Sequence, residues 1–234
     1  MRFTRAVPEL KVLELPFVVR SRQNAIAALS GPLGALFSDR MRERTPFRAL
    51  GFWDNGFRHV TNRVRPIRAP GDCTGLRIRT QMSDIHAEAL QAMGFEPIPV
   101  DIKEFVEQVR TDRFQAQENP LTNTFNFGVH HLHRYITLTG HLFGSSALIC
   151  NAALYDSWPA AVQRAVDIAA REATAAQYKL AGDEDDAIVG KLDARENEVI
   201  TLSSAEHEAF VKAVEPVLAK HSKSLDPKLF EMLR

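Results

Sequence analysis

Two kinds of apolar spacing alternate along this chain: short runs that cluster or alternate, and longer segments in which apolar residues recur every three or four positions. Residues 11–17 (KVLELPF) alternate in part and predict a short strand, and residues 23–41 carry helical spacing broken at Gly31-Pro32. Residues 47–53 predict another strand. The turn formers Asp54-Asn55-Gly56 follow, residues 57–61 resume in extended form, and the 66–70 stretch makes a proline-flanked loop where the chain is expected to cross between lobes.

The next segments alternate strand and helix. Residues 76–79 predict a buried strand, Ser83 an N-cap for a helix to about Met93, and residues 98–100 a returning strand. Asp101 with Glu104 resembles a capping box in an acidic variant, opening a helix to about Thr111 and then a strand that ends at Gln117-Glu118. This βαβ alternation predicts an α/β fold with a mostly parallel sheet flanked by helices, whose ligands bind beyond the carboxyl ends of the strands. Residues 135–139 and 146–150 read as two strands separated by Gly140 and Gly144. Pro159 opens a proline-free helical stretch from 160 to about 196, long enough to span more than one lobe. Residues 199–202 predict a strand, Ser203 and Glu206 a second capping box, and Pro227 the start of a short terminal helix.

Two polar residues fall at such strand ends: Arg79 in Gly75-Leu76-Arg77-Ile78-Arg79 and Asn119 in Gln117-Glu118-Asn119-Pro120. A guanidinium offers a planar fork that matches two carboxylate oxygens, and an amide adds a neutral donor, so the pair suits capture of a carboxylate. The residues alone leave two other readings open: Arg79 paired with a structural carboxylate, and Asn119 as a helix N-cap. Charge narrows the partners. With 29 basic and 29 acidic residues in 234, the formal charge is zero, which argues against nucleic acid or an anionic membrane surface. No apolar run approaches the roughly 20 residues that span a bilayer, and the first 20 residues show no export signal. Cys73 and Cys150 are expected to be free thiols. The histidines at 130, 131, 133 and 141 lack a metal-binding motif, the run Asp183-Glu184-Asp185-Asp186 reads as a solvated helix face, and no nucleophile, base and orienting group stand at recognisable spacing. No cofactor, metal or catalytic residue is therefore expected.

The segments Trp53-Asp54-Asn55-Gly56-Phe57-Arg58, Pro66-Ile67-Arg68, Gly75-Leu76-Arg77-Ile78-Arg79 and Gln117-Glu118-Asn119-Pro120 together resemble the substrate-binding proteins of TRAP transporters, the DctP family. Leu15-Pro16-Phe17, Thr137-Leu138-Thr139-Gly140-His141 and the long helix after Trp158-Pro159 extend the resemblance over essentially the whole chain. It implies a two-lobed periplasmic-binding-protein type II-like fold, with mixed sheets flanked by helices. Lobe one would comprise 1–55 and 145–185, lobe two 56–144 and 186–234, and a helix at about 160–196 would bridge them. It also implies a monomeric periplasmic receptor, not an enzyme, that binds an organic acid between the lobes and delivers it to a TRAP membrane permease. Carried onto this chain, Arg79 forms the bidentate pair with the ligand carboxylate, Asn119 contacts the same group, and Arg58 is a further ligand arginine.

The sequence departs from the family pattern at Ile102, where an aromatic residue is common, and at Gln115-Ala116, where Asp-Gly often stands. Family members also carry a signal peptide and a first βαβ portion before the segment that matches Ala6 onward. The first lobe is accordingly expected to be truncated, with a non-binding remnant of such a receptor as the alternative. Dicarboxylates, sugar acids, aromatic acids and keto acids all carry the carboxylate that Arg79 would hold.

Overall fold

The computed structural model describes residues 3–233. Ser21 caps α1 (Arg22–Ser30) by accepting the Asn24 N–H at 3.1 Å, and Gly31-Pro32 ends that helix and begins α2 (Pro32–Arg44). Ahead of them, residues 11–17 do not form the expected strand. Pro8–Glu14 is a 3-10 helix, in which Leu10, Val12 and Leu13 are all buried. The helix brings all three into one apolar cluster, where a strand would send alternate residues to opposite faces.

One mixed sheet of six strands organises the rest, in the order β3-β2-β4-β1-β5-β6. Its strands are β1 (Phe47–Asn62), β2 (Arg77–Thr80), β3 (Glu96–Pro99), β4 (Ala116–Pro120), β5 (Tyr135–Asn151) and β6 (Glu198–Thr201). β2 runs parallel to β3 and β4, and β5 to β6, whereas β1 is antiparallel to both its neighbours, so the sheet is less parallel than the βαβ alternation suggested. The Asp54-Asn55-Gly56 segment is not a turn. β1 continues through it, with a register shift against β5 between Asp54 and Gly56; Gly56 takes φ +83° and its N–H donates to Asp54 Oδ1 at 2.6 Å. β5 likewise runs unbroken past Gly140 and Gly144, and Gly144 sits opposite Gly56.

β1 and β5 pair over nearly their whole length, but β4 joins β1 only at Arg58–Asn62 and β6 joins β5 only at Tyr135–Leu138. Beyond those points the two long strands continue as a ribbon between two apolar clusters. The first gathers Leu10, Leu33, Phe37, Met41, Phe52 and Phe143. The second gathers Val60, Ile78, Leu90, Met93, Phe95 and Phe210 beneath α3 (Asp84–Ala92) and α8 (Ser204–Ser222). The long helix is α7 (Ala160–Lys191), after α4 (Ile102–Gln108), α5 (Leu121–Asn126) and α6 (Ala152–Ser157). It is tied to β1 where Trp53 Nε1 donates to Thr174 Oγ1 and where Gln177 both donates to Asp54 O and accepts from Asp54 N. α9 (Pro227–Glu231) and its flanks join the first cluster through Leu225, Leu229 and Leu233. Ser83 and Ser203 cap α3 and α8 as expected, the latter in a complete capping box with Glu206. Asp101 caps α4 through Lys103 N, without the reciprocal half of a box. Cys73 and Cys150 are free thiols. No helix among the described residues is long and apolar enough to cross a membrane.

Candidate ligand-binding site

Strand register brings the three expected ligand residues onto neighbouring strands. Arg79 on β2 lies opposite Gln117 on β4, while His59 and Arg58 on β1 lie opposite Asn119 and Pro120. All three are buried. Arg58 and Asn119 meet directly: Arg58 Nη2 donates to Asn119 Oδ1 at 3.2 Å. Arg79 does not bond to either. Its Nε and Nη2 donate to Val100 O at 3.2 and 2.9 Å, and its guanidinium stands 5.3 Å over the Phe105 ring. Nη1 has no hydrogen-bond partner among the described residues.

Asn119 does not cap α5; that position belongs to Pro120, with no side-chain cap. Its amide is oriented within the sheet, with Oδ1 on Arg58 and Nδ2 donating to Gln117 Oε1. Gln117 in turn donates to Thr61 Oγ1 at 2.9 Å and Thr124 Oγ1 at 3.1 Å. One hydrogen of Asn119 Nδ2 is used in this chain, and the second is left for another acceptor.

Glu118, which sequence reasoning did not single out, is the hub. It is fully buried and ion-paired with Arg58, whose Nη2 also donates to Glu118 O at 2.8 Å. Thr80 Oγ1 donates to Glu118 Oε1 at 2.8 Å, and His141 Nε2 lies 3.4 Å from Oε2. Burial on its own would raise the Glu118 carboxyl; the Arg58 guanidinium and His141 outweigh it and hold the group well below the usual carboxylate range. Burial pushes Arg79 down to about 10, with Glu118 opposing that shift and Arg58 adding to it. Even so, Arg79 is a cation at neutral pH. Because Glu118 neutralises Arg58, the net positive charge left in this group belongs to Arg79.

The remaining polar wall is neutral. Gln81 Nε2 lies 2.9 Å from His86 Nδ1, and burial foremost pushes His86 down to about 3. Ile102 packs against the cluster containing Phe105, so the aromatic ring beside Arg79 comes from position 105 and not 102. The other histidines have separate partners: His133 pairs with Thr61, His141 with Thr139, and His130 stacks on Phe125 at 4.5 Å with the His131 ring 3.9 Å away. Asp185, expected to be solvated, instead bonds Arg22 and is partly buried.

A family model described as bacterial extracellular solute-binding protein, family 7 (DctP), matches residues 1–224. A solute-binding protein of Verminephrobacter eiseniae is 34% identical over 228 residues, covering 97% of this chain and 67% of its own length. The 2,3-diketo-L-gulonate-binding periplasmic protein YiaO of Escherichia coli is 29% identical over 199 residues, covering 85% and 60%. The chain thus spans about two thirds or less of these relatives. A TRAP periplasmic solute-binding protein from Bordetella bronchiseptica, with ligand density attributed to pantoate, superposes with a TM-score of 0.90 at 30% identity, over 99% of this chain and 76% of that one.

Proposed function

The chain belongs to family 7 of the bacterial extracellular solute-binding proteins, the DctP family, and from that premise we propose that it is a receptor for an organic acid, gripped by Arg79 with Asn119 alongside. Arg79 carries the reading. It is a buried guanidinium at the carboxyl end of a strand, with one terminal nitrogen uncommitted and no carboxylate bonded to it. An incoming carboxylate supplies the missing counter-charge, and the spare Asn119 N–H adds a second donor. The Bordetella protein's ligand density is attributed to pantoate and the Escherichia coli protein binds 2,3-diketo-L-gulonate, both compounds bearing a carboxylate, which supports the same class here. Arg58 orients Asn119 and is tied to Glu118, so its role is to hold the amide in place and to add positive potential at second hand.

Function would follow by closure. An acid seated on Arg79 favours the arrangement in which the rest of the receptor surrounds it, and the closed form is the one presented to a TRAP-type permease outside the cytoplasm. The family is one of solute-binding receptors, not of enzymes. A thermal-shift screen of organic acids, followed by calorimetry of the best one, tests the assignment. Arg79→Ala is expected to weaken binding by about 3 kcal/mol, roughly 150-fold, because it strands the ligand carboxylate. Arg79→Lys should also weaken it, since a point ammonium cannot reproduce the fork. Unchanged affinity in Arg79→Ala would remove Arg79 from the site.

A further inference from the structure

Arg58 and Asn119 lie where β4 pairs with β1, at one edge of the two long strands. On the other edge β6 stops at Thr201, opposite Leu138. From Thr139 onward that side of β5 is met by Phe17, whose N–H donates to His141 O at 2.9 Å. Phe17 does this at φ +57°, a left-handed conformation that a bulky side chain adopts only when its surroundings impose it. Behind it lies a cavity of about 850 Å3, bounded by β1, β5, α7 and α8. That is the size of a small-molecule site.

Its lining is specific in charge. Phe17, Phe57, Leu138 and Val211 supply apolar walls, and His207 stands edge-on to Phe17 at 5.1 Å. His59 receives the Gly140 N–H on Nδ1 at 3.0 Å, which fixes the neutral ring's proton on Nε2 and leaves a donor with no partner among the described residues. Arg22 and Asp185 satisfy one another, and Arg22 also reaches Asp54 at 3.2 Å. Arg20, Asp186 and Glu208 line the cavity from exposed positions and make no ion pair or hydrogen bond among the described residues. The groups free of protein partners are thus a guanidinium and an N–H donor on one hand, and two carboxylates on the other.

We propose that this cavity binds a zwitterionic amino acid with an apolar side chain, its carboxylate on Arg20 and His59, its ammonium on Asp186 and Glu208, and its side chain against Phe17 and Phe57. An organic acid of the kind proposed for Arg79 meets two uncompensated carboxylates here and is disfavoured; a simple amine leaves Arg20 and His59 unanswered. The zwitterion offers a partner to both kinds of free group while its apolar side chain packs on Phe17 and Phe57.

Calorimetry on the full chain with L-phenylalanine, 3-phenylpropionate and 2-phenylethylamine separates these cases. L-Phenylalanine should bind saturably and about tenfold or more tighter than either truncated analogue. Arg20→Ala, at an exposed position, should weaken L-phenylalanine about fivefold or more while organic-acid binding at Arg79 is unchanged. Absence of saturable L-phenylalanine binding, equal affinity for the acid alone or the amine alone, or indifference to Arg20→Ala each overturns the proposal.

Discussion

Replacing Glu118 with glutamine tests the buried hub by removing one charge at nearly constant volume. Glu118 has no exposed surface and Arg58 is 5% exposed, so neither charge is screened by water. The carboxylate answers two guanidinium nitrogens, the Thr80 hydroxyl and the His141 ring. Removing one member of such a pair leaves the other as an uncompensated buried charge, at a cost of about 3–5 kcal/mol. For a chain of this length each kcal/mol is worth roughly 2–4 °C, so the melting temperature should fall by about 10 °C. Calorimetric melts of the parent and Glu118→Gln at pH 7 measure this. The difference should also depend on pH. The folded carboxyl lies well below its unfolded value, so its contribution is complete above the unfolded pKa of about 4.3 and declines as pH falls toward the folded one, narrowing the gap between the two proteins. A shift under about 2 °C at pH 7 would mean that Arg58 finds another partner or water, and the reading of a dry, neutralised pair would be wrong.

Two further outcomes follow from geometry described above. Gly56→Ala forces a side chain into φ +83° with its Cβ 2.9 Å from Asp185 Oδ2 and 3.3 Å from Pro120 Cβ; denaturant unfolding should show a loss of about 1–3 kcal/mol, and a neutral result would refute the tight approach of β1, β4 and α7. Burial foremost pushes His59, His86 and His133 each down to about 3, so between pH 6.5 and 3 the unfolded chain binds protons that the folded one refuses and stability falls as the solution is acidified. Unfolding at pH 5 should bind roughly three protons on these groups, measured from melts in buffers of different ionisation enthalpy; uptake near zero would show that they are protonated when folded.

Features that close within a few residues were legible in the sequence. Ser83 and Ser203 cap their helices because a side chain and a backbone N–H three positions apart settle each case, and Gly31-Pro32 divides α1 from α2 because the Gly31 N–H closes on Ala28 O and the proline opens the next helix. What failed depended on distant partners. Asp54-Asn55-Gly56 has turn chemistry, yet β5 pairs across it some 90 residues later and converts it to a bulge. Residues 11–17 alternate locally, but Pro8–Glu14 winds as a 3-10 helix that turns Leu10, Val12 and Leu13 together into the first cluster beside Phe52 of β1 and Phe143 of β5. At the candidate site, Arg79 and Asn119 were visible through the chemistry of a carboxylate clamp and the family motif. Glu118 stood between them in the same motif and was missed, since a buried carboxylate reveals its purpose only beside its cation, here 60 residues away on β1.

The glycine pair at the centre of the ribbon has a mechanical meaning. Gly56 faces Gly144, and the Gly144 Cα is so close to the opposite strand that a Cβ there would lie 3.1 Å from Gly56 O. The two strands therefore cross this level with no side chains of their own to stiffen the pleat. From Gly56 back to Phe47 the strand forms a lever of about 30 Å, so a bend of about 10° at the glycines carries the far end through about 5 Å. Small torsions at two residues without side chains are amplified into a displacement as wide as a ligand.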